Sequence, residues 1–198
     1  MIPHGYRELE VIAYGQAKKV VRAERLVDNA RVIIKCLDDV ADTLTRDRLR
    51  NHIRLASRLN IVGIPAVLDA RDSHDGYIVM ADAGQETLSM RLRNGPLPLL
   101  DALRIASRIS EVLAELHTTK IIHRDVAPQN IIVDVETVDS SLIDLELAIA
   151  MAADGTADAD ASAVGTLHFM APEQSGRMHR RVDARSDLYS LGAVLYTM

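Results

Sequence analysis

The run His123-Arg124-Asp125-Val126-Ala127-Pro128-Gln129-Asn130 carries a carboxylate and an amide five residues apart. A tight loop can point both side chains into one cleft. Downstream come, in order, Ile131-Ile132-Val133, Leu142-Ile143-Asp144, Gly165-Thr166 and Ala171-Pro172-Glu173. A His-Arg-Asp triplet alone recurs by chance, whereas five ordered elements in one chain are a strong signal. A few polar groups held at fixed separation suit chemistry that is mostly positioning plus charge stabilisation.

The elements that must hold these groups are legible in the pattern. Leu9-Glu10-Val11-Ile12, Lys19-Val20-Val21-Arg22 and Val32-Ile33-Ile34-Lys35 read as strands, being rich in β-branched residues and separated by turn formers. Residues 46–60 read as a helix: Leu49, Ile53, Ala56 and Leu59 share a face, and Arg46, Arg50, Arg54 and Arg58 form a basic stripe. Two more strands are expected in 61–83, around the turn Ser73-His74-Asp75-Gly76. The clearest helix is 98–117, with Leu99, Leu103, Ala106, Ile109, Val112, Leu113 and Leu116 on a wide apolar face. Short strands follow the His-Arg-Asp run at 131–133 and 141–143. Residues 151–163, rich in Ala and Asp, read as a mobile loop. An apolar helix begins at Asp187 and runs to Met198. A boundary between lobes 1–83 and 84–198 is expected near Ala83-Gly84-Gln85.

The composition bounds the class. The chain has 198 residues, 48% hydrophobic and 26% charged, enough for one substantial core or two small lobes. A net charge of −5 argues against a nucleic-acid partner. No apolar run reaches the ~20 residues of a membrane span, and the N-terminal residues lack the regions of a signal peptide. Cys36 is the single cysteine, which rules out an intrachain disulfide or a cysteine metal cluster. A cytoplasmic protein is the simplest expectation. Arginine far outnumbers lysine and alanine is abundant, as in GC-rich bacterial genes.

The ordered motifs resemble the catalytic half of a eukaryotic-type protein kinase. The resemblance covers about Tyr6 to Met198 and implies an α+β, bilobal, protein-kinase-like fold. Its N-lobe would be an antiparallel sheet plus one helix, and its C-lobe mainly helical. It implies ATP and magnesium as cofactors and Ser/Thr of a protein as the acceptor. On this resemblance Asp125 would accept or orient the proton of the attacking hydroxyl, while Asn130 and Asp144 would bind magnesium. Lys35 matches the strand lysine that holds the α- and β-phosphates, although a lysine ending a strand is also an ordinary solvated residue. Met80 would be the gatekeeper, and the backbone of Ala81-Asp82-Ala83 would face adenine. Val20, Ala83 and Ile132 would join the nucleotide site. Glu86 matches an acidic position near the ribose; as a carboxylate near a helix N-terminus it is equally well accounted for. The segment from Gly165 to Met178, with Asp183, Arg185, Asp187 and Tyr189-Ser190-Leu191-Gly192, is similar to the N-terminal kinase domain of large bacterial proteins that continue into an ATPase module and a sensor histidine kinase. Thr166 favours Ser/Thr over Tyr specificity, and Asp187 would cap the catalytic-loop backbone. Arg124 normally pairs with an activation-loop phosphate, for which Ser162 and Thr156 are candidates; Asp158 and Asp160 would offer permanent charge instead.

The sequence departs from that pattern in four places. The Gly-rich loop positions are Ala13, Gly15 and Lys18, so one glycine remains. His52 stands where the helix should supply a Glu to pair with Lys35; Asp47 is five residues away, ~7.5 Å along the axis. Asp-Phe-Gly has become Asp144-Leu145-Glu146, and Glu146 is either a substitute partner for Lys35 or a solvated residue. Ala127 replaces a lysine that would neutralise the transferring phosphate.

Measured against the family, the C-lobe is expected to lack its last helices. Glu173 would then have no arginine partner, and Leu188, Leu191, Val194 and Leu195 would be exposed and prone to self-association. These features leave two readings. One is an ATP-binding Ser/Thr kinase domain; the other is a catalytically impaired pseudokinase or gene fragment serving as a nucleotide-binding scaffold. A small-molecule phosphotransferase fits less well, because residues 165–192 build a platform for a protein substrate.

Overall fold

The computed structural model describes residues 2–15, 17–134, 137, 139–157, 165–176 and 180–198; Asp158, Asp160, Ser162, Arg177 and Met178 lie outside the described residues. The chain divides into two compact units, Met1–Asn60 with Pro65–Ala83 and Ile61–Ile64 with Gly84–Met198. Each has its own architecture, and together their elements make the expected α+β class.

The first unit is a five-stranded antiparallel sheet with one helix. Its strands are β1 (Tyr6–Tyr14), β2 (Lys18–Arg25), β3 (Arg31–Leu37), β4 (Val67–Arg71) and β5 (Tyr77–Ala81), in the order β1-β2-β3-β5-β4. Side chains alternate across a sheet with period two. Val32, Ile34 and Cys36 of β3 therefore join Val21, Ala23, Tyr77 and Val79 in one apolar layer. Leu37 joins Ile78, Met80 and, from helix α1 (Thr43–Ala56), Leu49 on the opposite face. Lys35 has the parity of Ile33 and Leu37, so it belongs to the α1 face, where it is buried.

Helix α1 starts three residues before the expected Arg46. Asp42 caps it by accepting from the Thr45 backbone N–H at 2.8 Å. It also ends before the expected Asn60, because the backbone tightens after Ala56: Arg58 and Leu59 donate to Leu55 and Ala56, three residues back. Three of its arginines are engaged locally. Arg46 donates to the carbonyls of Ala41 and His74, Arg50 pairs with Asp72 and Asp47, and Arg54 donates to Asn51. Exposed pairs of this kind each contribute about 0–1 kcal/mol.

The second unit contains helices α2 (Leu88–Leu92), α3 (Leu99–Thr118) and α4 (Ala184–Thr197). Three two-stranded ladders accompany them. These are β6 (Ile121–Ile122) with β9 (Ile149–Ala150), β7 (Ile131–Val133) with β8 (Ser140–Leu142), and β10 (Thr156–Ala157) with β11 (Val182–Asp183). Helix α3 buries Ala102, Ile105, Ile109, Val112, Leu113 and Leu116. Its inner stripe is narrower than the apolar face expected from sequence: Leu99 is 75% exposed and Leu103 48%. Leu99 lies in the uncapped first turn after Pro98, and Leu103 falls one position off the stripe. The expected loop 151–163 holds a short strand at Thr156, prepared by an Asp154 turn in which Asp154 accepts from the Thr156 N–H and hydroxyl.

Helix α4 packs on α3 and buries Ser186, Asp187, Ser190, Leu191 and Val194 at intervals of three and four residues. The expectation that Leu191 and Val194 would be exposed is therefore corrected: they lie on the stripe that meets the rest of this unit. Leu188, Leu195 and Tyr196 are on the outer face and exposed.

Cys36 is 2% exposed on the inner face of β3, and burial pushes its thiol above the ordinary range. The neutral thiol is unreactive. We expect alkylation of the native protein at pH 8 to be slow and to accelerate through the urea unfolding transition. Rapid stoichiometric labelling of the native protein would contradict this packing.

Candidate active site

The loop between β6 and β7 must reverse direction and still present Asp125. It does so with Arg124 in the left-handed region at φ 66°, a conformation that costs a non-glycine residue about 1–2 kcal/mol. Three hydrogen bonds stabilise the turn. Asp187, in the first turn of α4, accepts from the His123 N–H at 2.9 Å and the Arg124 N–H at 2.8 Å. Gln174 donates its side-chain amide to the Arg124 carbonyl at 2.8 Å and accepts from the Ala171 N–H. The Asp187 side chain is fully buried and also meets His117 Nε2 at 2.8 Å, so its charge is taken up by three donors. The cap expected of Asp187 is present in this form.

His123 is buried and links this loop to the next. The Asp125 N–H donates to its Nδ1, so Nε2 carries the hydrogen and meets the Ile143 carbonyl at 3.2 Å. The Ile143 N–H donates to the Asn130 carbonyl at 2.8 Å. Two bonds therefore set the residue before Asp144. Asp144 is itself left-handed at φ 73°, and its Oδ1 accepts from the Glu146 N–H at 3.2 Å.

Asn130 ends a 3₁₀ turn that opens with Pro128. Its side-chain nitrogen donates to Asp125 twice, to the backbone carbonyl at 2.9 Å and to Oδ2 at 2.7 Å. The other oxygen, Oδ1, accepts from Thr166, from the N–H at 2.7 Å and the hydroxyl at 2.8 Å. Gly165 makes that approach feasible: it has φ +124°, and an added Cβ would lie 2.9 Å from the Arg124 carbonyl oxygen. Asp125, Asn130, Thr166 and, through the backbone, Asp144 thus form one connected constellation in the second unit.

The remaining residues expected at a nucleotide site fall into two groups. In the second unit Ile132 forms a β-bridge with Thr87, the Val133 N–H donates to the Glu86 carbonyl, and Gly84 packs so closely that a Cβ would lie 2.9 Å from Ile132 Cγ2. Thr87 is the N-cap of α2, so Glu86 precedes the helix and is not in its first turn. In the first unit Val20 pairs with Lys35 across β2–β3, and Met80 pairs with Ile33 across β3–β5. The expected loop positions Ala13 and Lys18 lie within strands β1 and β2, leaving a tight hairpin at Gly15. Asp82, whose backbone is expected near adenine, has its side chain held by Arg22 Nε at 2.7 Å, and Arg22 also reaches Glu10. His52 is buried in α1.

Several contributors had no signal in the sequence. His117, Gln174 and Arg22 act on residues 70, 50 and 60 positions away. Glu173, expected to lack an arginine partner, accepts instead from the Ser186 hydroxyl at 2.6 Å.

Removing the Asp187 carboxylate leaves two buried backbone donors unpaired, each worth about 1–3 kcal/mol. We expect Asp187→Ala to lower the urea midpoint by an amount corresponding to about 2–6 kcal/mol, with Asp187→Asn intermediate. Parental stability in Asp187→Ala would show that the loop is held by other means.

Residues 6–198 match the protein kinase domain. The chain is 33% identical to serine/threonine-protein kinase pkn3 of Myxococcus xanthus, the match covering 100% of this chain and 38% of that protein. It is 32% identical to serine/threonine-protein kinase PrkC of Bacillus subtilis, covering 98% and 30%. To serine/threonine-protein kinase PknB of Mycobacterium leprae it is 32% identical, covering 94% and 31%. The chain thus spans about a third of the length of these relatives. A match that runs through both units and includes every residue of the Asp125 constellation makes the chain a member of the protein kinase domain family, by family a protein serine/threonine kinase.

Proposed function

We propose that this chain binds ATP with magnesium and transfers the γ-phosphoryl group to a Ser or Thr hydroxyl of a protein substrate in bacterial signalling, in the cytoplasm. The observation that carries the proposal is the Asp125 carboxylate, oriented by Asn130 on one oxygen and Thr166 on the other. A proton acceptor fixed on both sides is what an attacking hydroxyl requires. Asp125 takes the proton of that hydroxyl. On the family pattern Lys35 would hold the α- and β-phosphates, Val20, Met80, Ala83 and Ile132 would contact the base, and Glu86 would meet the ribose.

Hard oxygen donors suit magnesium. Asn130 uses its nitrogen on Asp125, which leaves its amide oxygen as an acceptor, and Asp144 adds a carboxylate. Asn130 and Asp144 would hold the metal, which when bound neutralises phosphate charge. The family match supports this donor set. The single glycine of the hairpin, His52 in α1 and Ala127 in the loop all weaken phosphate grip. Affinity and rate are therefore placed below those of a kinase that has all three features.

Titration calorimetry with ATP is expected to show binding that strengthens with Mg²⁺ and loses its metal dependence in Asp144→Asn. Transfer to a generic protein substrate is expected to fall by about 10²–10⁴ in Asp125→Asn while ATP affinity stays near parental. No heat at millimolar nucleotide would remove the proposal. Binding without Asp125-dependent turnover would favour a nucleotide-binding scaffold.

The outer face of α4 supports self-association. Leu188, Tyr189, Leu195 and the 93%-exposed Tyr196 lie together on it, and no charged residue follows Asp187 in the helix. The proposed cover of this apolar face is a second copy of the chain. Sedimentation velocity should show a concentration-dependent oligomer that Leu188→Glu with Leu195→Glu converts to monomer. A monomer at all concentrations would remove this surface from the account.

A further inference from the structure

The Asp125 carboxylate is bonded unequally. Oδ1 accepts two hydrogen bonds, both from Thr166, at 2.7 and 2.8 Å. Oδ2 accepts one, from Asn130 at 2.7 Å. A carboxylate oxygen offers about two lone-pair sites. Among the described residues, Oδ1 is therefore filled and Oδ2 keeps one site for an incoming hydrogen.

This asymmetry depends on the direction of one hydroxyl. The Thr166 Oγ1–H can donate only once, and a free hydroxyl rotates to whichever acceptor is nearest. What commits it to Asp125 is Gln129, whose side-chain amide donates to Thr166 Oγ1. With its lone pair engaged from that side, the hydroxyl turns its hydrogen to Oδ1. The relay runs one way, from Gln129 to Thr166 to Asp125. Gln129 and Asn130 are consecutive on the 3₁₀ turn, so one short element controls both oxygens of the acid: Oδ2 directly, Oδ1 through Thr166.

Ala127 explains why this arrangement matters here. It is a fully buried methyl at the position where the family pattern carries a lysine, and it can donate nothing to the acid or to Thr166. Gln129 is exposed, neutral and two residues further on, and its amide is a donor directed at the same threonine.

We infer that Gln129 is a positioning residue for transfer, holding the Thr166 hydroxyl so that Asp125 presents Oδ2 to the incoming substrate hydroxyl. This rests on the kinase activity proposed above and adds to it the orientation of the acid. Gln129 touches neither substrate nor nucleotide in this role.

Three variants separate the role from a structural one. Gln129→Glu keeps size and shape but presents an acceptor, which draws the Thr166 hydrogen away from Oδ1. Gln129→Ala removes the group. Gln129→Lys restores a donor on a long chain. With Mg-ATP and a generic protein substrate, the Glu and Ala variants should lose about threefold to tenfold in kcat, the size of one hydrogen bond, with KM for ATP near parental. The Lys variant should stay close to the parent. Amide hydrogen exchange at Thr166, read by NMR, should quicken in the Glu and Ala variants and remain slow with Lys. Parental kcat and parental Thr166 exchange in both Glu and Ala would overturn the inference. So would an equal loss in all three variants, which indicates a merely structural site. If the parent itself shows no Asp125-dependent transfer, the functional proposal fails and the positioning role with it; the exchange measurement then still decides whether Gln129 holds Thr166.

Discussion

One buried carboxylate supports the catalytic half of this molecule. Asp187 accepts two consecutive backbone N–H groups, from His123 and Arg124, while meeting the His117 ring from α3. Immediately after these two donors the chain turns at Arg124, which lies in the left-handed region at φ 66°. The strain is local and the stabilising group comes from a helix 63 residues away. The dependence also runs in the other direction: without those donors a fully buried carboxylate would be costly. Loop and helix are thus mutually required.

From that turn the geometry spreads through short bonds. Gln174 holds the Arg124 carbonyl, Gly165 passes against it, and Thr166 reaches Asp125. His123 bridges to Ile143 and so to the turn at Asp144, where a second left-handed residue points the chain onward. Two acids far apart in sequence are positioned by backbone conformation, which depends little on side-chain rotamers and so preorganises them.

The departures from the kinase pattern leave the hydrogen bonds around Asp125 in place. The hairpin at Gly15, His52 on α1 and Ala127 in the loop concern groups that would face phosphate in a kinase. The groups around Asp125 are complete, and an amide at Gln129 engages Thr166 where a cation would be expected nearby. In the first unit, the Arg22–Asp82 pair gives a mostly buried anchor to the segment after β5. Breaking a buried pair by removing one partner typically costs about 3–5 kcal/mol.

Local order was readable from residues alone. The motif order from His123 to Glu173, the strands β2, β3 and β5, the β7–β8 hairpin and helix α3 follow from periodicity and turn chemistry acting within a few residues. The α+β class and the family followed from the same signals. Boundaries were less legible, because caps decide them: Asp42 starts α1 early, and a tightened turn after Ala56 stops it. Which apolar residues are inside was decided by tertiary packing. Leu103 and Leu113 are chemically identical on α3, yet the first is half exposed and the second buried, because they lie about 80° apart around the helix axis and only one of those directions meets the rest of the unit. The same holds for Leu188 and Leu191 on α4. The sequence by itself determined that Asp125, Asn130 and Asp144 would be acids and amides at loop positions of this fold. Only the tertiary structure decided which oxygen of Asp125 is filled and what holds Arg124, since the partners, Thr166, Gln174, Asp187 and His117, carry no periodic signal linking them across tens of residues and meet only when the chain is packed.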